Sequence, residues 1–182
     1  MLSFLIYKPF GVVSQFTEPV PGKRTLADLF DFPKDVYPVG RLDEDSEGLL
    51  LLTNDARQNQ RLLGQGVEKE YWVQVEGIPE ESALERLRKG VSIRVNKKDF
   101  LTAPALVRTM DAPDVPGRVP PIRVRLSVPD CWVAITIREG KNRQVRRMTA
   151  AIGHPTLRLL RWRLGNWTID GMAPGDVKQV KL

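Results

Sequence analysis

The densest cluster of ionisable side chains is Gly40-Arg41-Leu42-Asp43-Glu44-Asp45-Ser46-Glu47-Gly48, directly ahead of the apolar run Leu49-Leu50-Leu51-Leu52. Carboxylates packed this closely can hold a cation or do acid, base or nucleophilic work. A calcium loop would place Asp43, Asp45 and Glu47 at positions one, three and five, with Gly48 at six. Position twelve is then Asn54, which cannot supply the bidentate carboxylate, and Tyr37-Pro38-Val39-Gly40 does not form the preceding helix. A magnesium site for phosphoryl chemistry needs further ligands. Successive acids in the loop diverge in direction, and the only histidine, His154 beside Pro155, reads as structural. Glu44 and Glu47, taken singly, read as solvated turn residues. Asp43 stands where a cleft residue would, just before a strand. A carboxylate covered by substrate needs a cation to stay ionised and oriented. No Ser–His–Asp or Cys–His arrangement is visible, so chemistry here would run on a carboxylate.

Candidate cations lie far along the chain. Arg138, Lys141, Arg143, Arg146, Arg147, Arg158, Arg161 and Arg163 face a single acid, Glu139, across residues 138–163. Arginine suits bidentate phosphate contact and stacking on bases. A solvated basic face is the plainer alternative, but several of these arginines adjoin apolar positions. The whole chain has 28 basic and 22 acidic residues and a net charge of +6, which favours a polyanionic partner.

The elements that must position these groups follow from periodicity. Strands are expected over 2–7, 48–52, Lys69–Glu76, 132–138, 156–163 and 177–182, with Tyr71, Val73 and Val75 sharing one face. A short helix is expected over 25–30, capped by Thr25 with Leu26, Leu29 and Phe30 inward. Asn54 is expected to cap a helix ending near Leu63. Helices are also expected over 79–89, stopped by Gly90, and over 142–152, with Val145, Met148 and Ile152 on one side. Residues 111–121 hold four prolines and a glycine and read as a loop, after which Ile122, Val124, Leu126 and Val128 alternate like a strand. The pattern is α+β with a mixed, mostly antiparallel sheet and flanking helices.

At 182 residues the chain suits one domain, or two sub-lobes sharing one sheet. No apolar run approaches the ~20 residues of a bilayer span, and no secretory leader is visible, so no membrane partner is expected. The lone Cys131 fits a reducing cytoplasm.

Four ordered blocks resemble the RsuA-type pseudouridine synthases. They are Lys8-Pro9-Phe10-Gly11, the Gly40–Asp55 stretch of form G-R-L-D-x-x-[ST]-x-G-L-L, Lys69-Glu70-Tyr71-Trp72-Val73, and Glu139-Gly140-Lys141-Asn142-Arg143-Gln144-Val145-Arg146-Arg147-Met148. The resemblance covers nearly the whole chain and implies the pseudouridine synthase catalytic fold with a central active-site cleft. It implies Asp43 as nucleophile, Tyr71 stacked on the target base, and Arg146 paired with Asp43. It also implies Val145 beneath the base, and Arg41, Lys69, Lys141, Arg143 and Arg147 in contact with RNA. No metal and no organic cofactor is implied. The pattern starts within ten residues of the N-terminus, so no S4 module is expected. The continuation after Thr53-Asn54 and the stretches at 75–79, 120–123 and 146–150 are similar to the branch lacking that module, which acts on large-subunit (23S) ribosomal RNA. The expected protein is a cytoplasmic monomer with that RNA as partner.

Overall fold

The computed structural model describes residues 1–64, 66–122 and 127–181. In chain order the elements are β1 (Ser3–Lys8), β2 (Tyr37–Pro38), β3 (Glu47–Thr53), α1 (Ala56–Leu63), β4 (Lys69–Glu76), α2 (Glu81–Lys89), β5 (Ser92–Val95), β6 (Lys98–Leu101) and β7 (Leu106–Met110). There follow β8 (Asp130–Ile137), α3 (Gln144–Ala151), β9 (Thr156–Leu164), β10 (Trp167–Thr168) and β11 (Val177–Val180). They form two compact units, Met1–Val67 with Arg161–Leu182, and Glu68–Leu160. β9 begins in the second unit and ends in the first.

In the first unit β1 lies between β11 and β3, antiparallel to both, with Ile6 opposite Val177 on one side and Leu50 on the other. Every residue of β1 and β3 is buried. Strands covered on both faces need apolar side chains at successive positions, which is why Phe-Leu-Ile-Tyr and Leu-Leu-Leu-Leu run without alternation. In the second unit β8 lies between β4 and β7, both antiparallel, so that Tyr71, Ile135 and Val107 form one rung. β4 alternates: Tyr71, Val73 and Val75 are buried while their neighbours are half-exposed. β5 and β6 make a separate antiparallel hairpin. The expected α+β class with a mostly antiparallel sheet is observed, and among the described residues no helix is long and apolar enough to cross a membrane.

Local corrections have physical causes. Asp55, rather than Asn54, caps α1, its carboxylate accepting from the amides of Arg57 and Gln58. Asn54 instead bridges Leu2 N and Asp35. The segment at 25–30 makes only a 3-10 turn, Leu26–Asp28. Leu26 is buried there, whereas Phe30 is exposed and packs its ring on Phe4 and Phe32. Pro79 precedes α2 rather than opening it, and Leu84 and Leu87 are its buried face. The alternation expected from 122 is not a strand at Ile122 or Val128, and Val124 and Leu126 lie outside the described residues, as does Leu182. Residues 92–110 contribute three strands that the sequence reading did not assign.

Candidate active site

β1 ends in a lysine, a side chain that ordinarily stays in water. Lys8 is nonetheless fully enclosed, and its ammonium donates to Val12 O at 2.6 Å and Pro9 O at 3.0 Å. The chain leaving β1 is thereby drawn against the acidic loop, where Gly11 N donates to Glu44 O at 2.8 Å. Ser14 clamps the loop from the same side: its hydroxyl donates to Leu42 O at 2.7 Å and accepts from Leu42 N at 3.0 Å. Ser46 N returns to Asp43 O at 3.0 Å, closing a turn. Asp43 is therefore carried on a loop whose backbone is fixed on both sides of it, with its own side chain partly exposed. Arg41 is exposed, two residues earlier.

The acids of this loop divide. Glu44 is half-exposed and pairs with Lys23 at 2.6 Å. Glu47, expected as a solvated turn residue, is only 2% exposed and opens β3. It is an electrostatic partner of Lys8. Burial lowers the Lys8 amine and outweighs the upward pull of Glu47, Asp43, Asp45 and Glu44, in that order, leaving it at about 7 instead of 10.5. Between those two values the folded chain binds fewer protons at this site than the unfolded one. Lys8 therefore makes stability rise as pH increases from about 7 towards 10.5, by at most about 1.4 kcal/mol per unit, and its full burial cost applies below pH 7. Urea unfolding at pH 7 and pH 9 should show this rise in the parent and its loss in Lys8→Met.

Gly48, with φ +107°, turns the loop into β3 directly against Arg161, and a Cβ there would meet Arg161 O at 2.4 Å and Arg161 N at 2.7 Å. Arg161, buried, donates its Nε to Leu49 O at 2.7 Å. Arg158 is also buried and donates to Pro116 O at 2.8 Å, tethering the proline-rich loop, while Arg163 donates to Gly165 O and Arg138 pairs with Glu68. Part of the basic run expected to face a polyanion is thus committed to protein acceptors. The apolar neighbours of these arginines signal burial.

In the second unit Tyr71 is 9% exposed on β4, on the face it shares with Lys69, which is half-exposed. The turn before α3 is built by Glu139 and Gln144. The Glu139 carboxylate accepts from Ala103 N and from Gln144 Nε2, and Gln144 Oε1 accepts from Lys141 N at 2.9 Å. Arg143 then enters the helix in the left-handed conformation, φ 51° and ψ 34°. Val145 is buried, Arg146 half-buried, and Lys141 and Arg143 exposed. Arg147 turns its guanidinium onto protein: Nε donates to Asn142 O at 3.0 Å, Nη2 to Asn142 Oδ1 at 3.3 Å, and Nη1 to Arg94 O.

The first unit thus brings Asp43 together with Lys8, Glu47 and the clamp from Ser14. The second gathers Arg143, Val145, Arg146 and Arg147 on one short helix start. The sequence profile of the family described as RNA pseudouridylate synthase matches residues 3–151, spanning both the Asp43 loop and α3. The chain belongs to this family. It is 51% identical over 96% of its length to ribosomal large subunit pseudouridine synthase E of Vibrio parahaemolyticus, covering 72% of that protein. It is 53% identical over 93% of its length to the protein of the same name from Xanthomonas axonopodis, covering 89% of it. Among solved structures, one described as a crystal structure of pseudouridylate synthase superposes with a TM-score of 0.80 at 28% identity, over 99% of this chain and 70% of that one. As a pseudouridine synthase, the chain is an isomerase acting on RNA, as the four blocks implied. Lys8 and Glu47 are buried beside the Asp43 loop, and sequence reasoning gave neither of them a role. A lysine closing an otherwise apolar strand was the available signal for the first.

Proposed function

We propose that this chain converts a uridine of large-subunit (23S) ribosomal RNA to pseudouridine, with Asp43 as the nucleophile. The substrate reading is carried by relatives that share half the chain's residues over nearly its full length and are named for the large subunit. Asp43 is supported by its place on a loop fixed through Leu42, Glu44 and Ser46, with an acceptor-bound lysine behind it. In this reading the target nucleotide is extruded from its stack, because the glycosidic bond is out of reach inside a helix. The Asp43 carboxylate attacks the uridine at the base or the sugar, and the N-glycosidic bond breaks. The uracil turns and rejoins the ribose through C5, the bond to Asp43 breaks to return the carboxylate, and the C5 proton leaves while N1 gains one. Tyr71 stacks on the base and assists removal of the C5 proton. Arg146 pairs with Asp43 and keeps it ionised, and Val145 packs beneath the base. Arg41, Lys69, Lys141 and Arg143 contact the RNA, chiefly at phosphates, which position it without reading sequence. No metal or organic cofactor takes part. The chain works as a single catalytic domain of two sub-lobes, a monomer in the cytoplasm with no membrane partner.

Pseudouridines mapped across ribosomal RNA by carbodiimide adduct and primer extension, with and without the gene, test the substrate. Loss of one large-subunit modification is expected. An unchanged large-subunit map, or a loss confined to the small subunit, would sink the assignment.

A further inference from the structure

The β5–β6 hairpin is left without a task by the chemistry above. Its two-residue turn is Asn96-Lys97, both left-handed with φ 50° and 64°. Two successive residues of this kind make the tight turn that matches strand twist, and glycine is the usual second residue. A lysine there costs about 1 kcal/mol of backbone energy relative to glycine. The tip therefore carries a charge at a position where backbone preference favours none.

The remaining charges are arranged around that tip. Lys98 and Phe100 are two apart on β6 and so share a face. Lys141, from the turn before α3, sits over the Phe100 ring at 4.8 Å. Lys98 and Lys141 thus flank one aromatic surface, and both are exposed, as are Arg94 and Lys97. Arg94, Lys97 and Lys98 make no ion pair among the described residues. The hairpin does not wave freely, because Arg147 holds Arg94 O with one arm of its guanidinium and Asn142 with the rest. Residues 92–101 carry three cations and one acid, and 140–147 carry four cations and no acid. Their net +6 equals the formal excess of the entire chain.

We propose that this hairpin is an RNA-gripping arm: Lys97 and Lys98 at its tip, beside Lys141 over Phe100, take phosphates of the substrate RNA outside the target nucleotide. Arg147 is the brace that fixes the arm to α3. The inference rests on the reading that the substrate is RNA, a polyanion for which Lys141, already an expected contact, lies against the arm at Phe100. Two phosphate contacts release counterions, so their loss has a defined salt signature.

Binding of a large-subunit RNA transcript to the full chain, followed by fluorescence anisotropy across a salt series, tests the arm independently of turnover. Lys97→Asn with Lys98→Gln should weaken Kd by about tenfold near physiological salt. The slope of log K against log salt should become shallower by about 1.4 to 1.8, the release expected for two contacts. A Kd and slope equal to the parent's would overturn the proposal. So would a loss of affinity for polyglutamate with RNA affinity untouched, which would assign the arm to an acidic protein. Arg147→Lys keeps the charge and loses the fork. It should speed amide exchange over 92–101 and weaken RNA binding together, and unaltered exchange would overturn the brace. Failure of the parent to form pseudouridine in this RNA would count against the substrate reading alone, because the affinity measurements still decide the arm.

Discussion

Asp43→Asn is expected to reduce release of tritium from 5-tritiated uridine in RNA by at least about 10⁴-fold, the scale on which a covalent nucleophile is lost. C5 must shed its hydrogen to bond to the ribose, so the released label counts turnovers directly. The amide is nearly isosteric with the carboxylate, and it is the backbone oxygen of Asp43 that accepts from Ser46 N. The loop should therefore persist, with a melting temperature close to the parent's. One secondary effect has a predictable direction. Asp43 is among the charges that raise the Lys8 amine against burial, so its neutralisation should lower that amine further. Turnover within tenfold of the parent would remove Asp43 from the mechanism.

Gly48→Ala should be the most destabilising single-methyl addition in the loop. Two costs add there. The residue sits at φ +107°, where a side chain is strained, and the new Cβ would overlap the backbone of Arg161, at 2.4 Å from its oxygen and 2.9 Å from its carbonyl carbon. Backbone atoms within a packed strand cannot swing aside as a flexible side chain would. Together the strain and the overlap should cost about 3–5 kcal/mol, read as a lower urea midpoint. Gly11 separates the two contributions. Its φ is +78° but nothing lies within 4 Å of a Cβ placed there, so Gly11→Ala should cost only about 1 kcal/mol. Equal costs at the two positions would show that the contact with Arg161 is immaterial.

Regular periodicity was legible, and context was not. Tyr71, Val73 and Val75 recur at every second position of Lys69–Glu76, and the strand appears with the expected bounds, because one face of β4 is more deeply buried than the other. The apolar runs of β1 and β3 likewise declare strands covered on both sides. By contrast, Ser92–Val95 and Lys98–Leu101 hide behind the charged run Arg94 to Asp99 and a turn without glycine. Asn54 and Asp55 are both competent helix caps, and only the demands of Leu2 N and Asp35 on Asn54 decide between them. At the site, the order of the motif blocks pointed to Asp43, Tyr71 and Arg146 before any geometry was available. Burial of Glu47, Arg158 and Arg161 could not be read the same way. Whether a charged side chain is solvated depends on what lies across from it, and the acceptors of Arg158 and Arg161 come from more than forty residues away in sequence.

The pairing of β1 with β11 imposes an order on synthesis. At about 5–20 residues per second, β1 leaves the ribosome on the order of ten seconds or more before its partner at Val177–Val180 exists. Glu68–Leu160, continuous in the chain, can close as soon as it emerges. The nascent protein thus carries an open, largely apolar strand edge on β1 until Val177–Val180 has been made. In that interval β1 is the segment most exposed to mispairing and most in need of a chaperone.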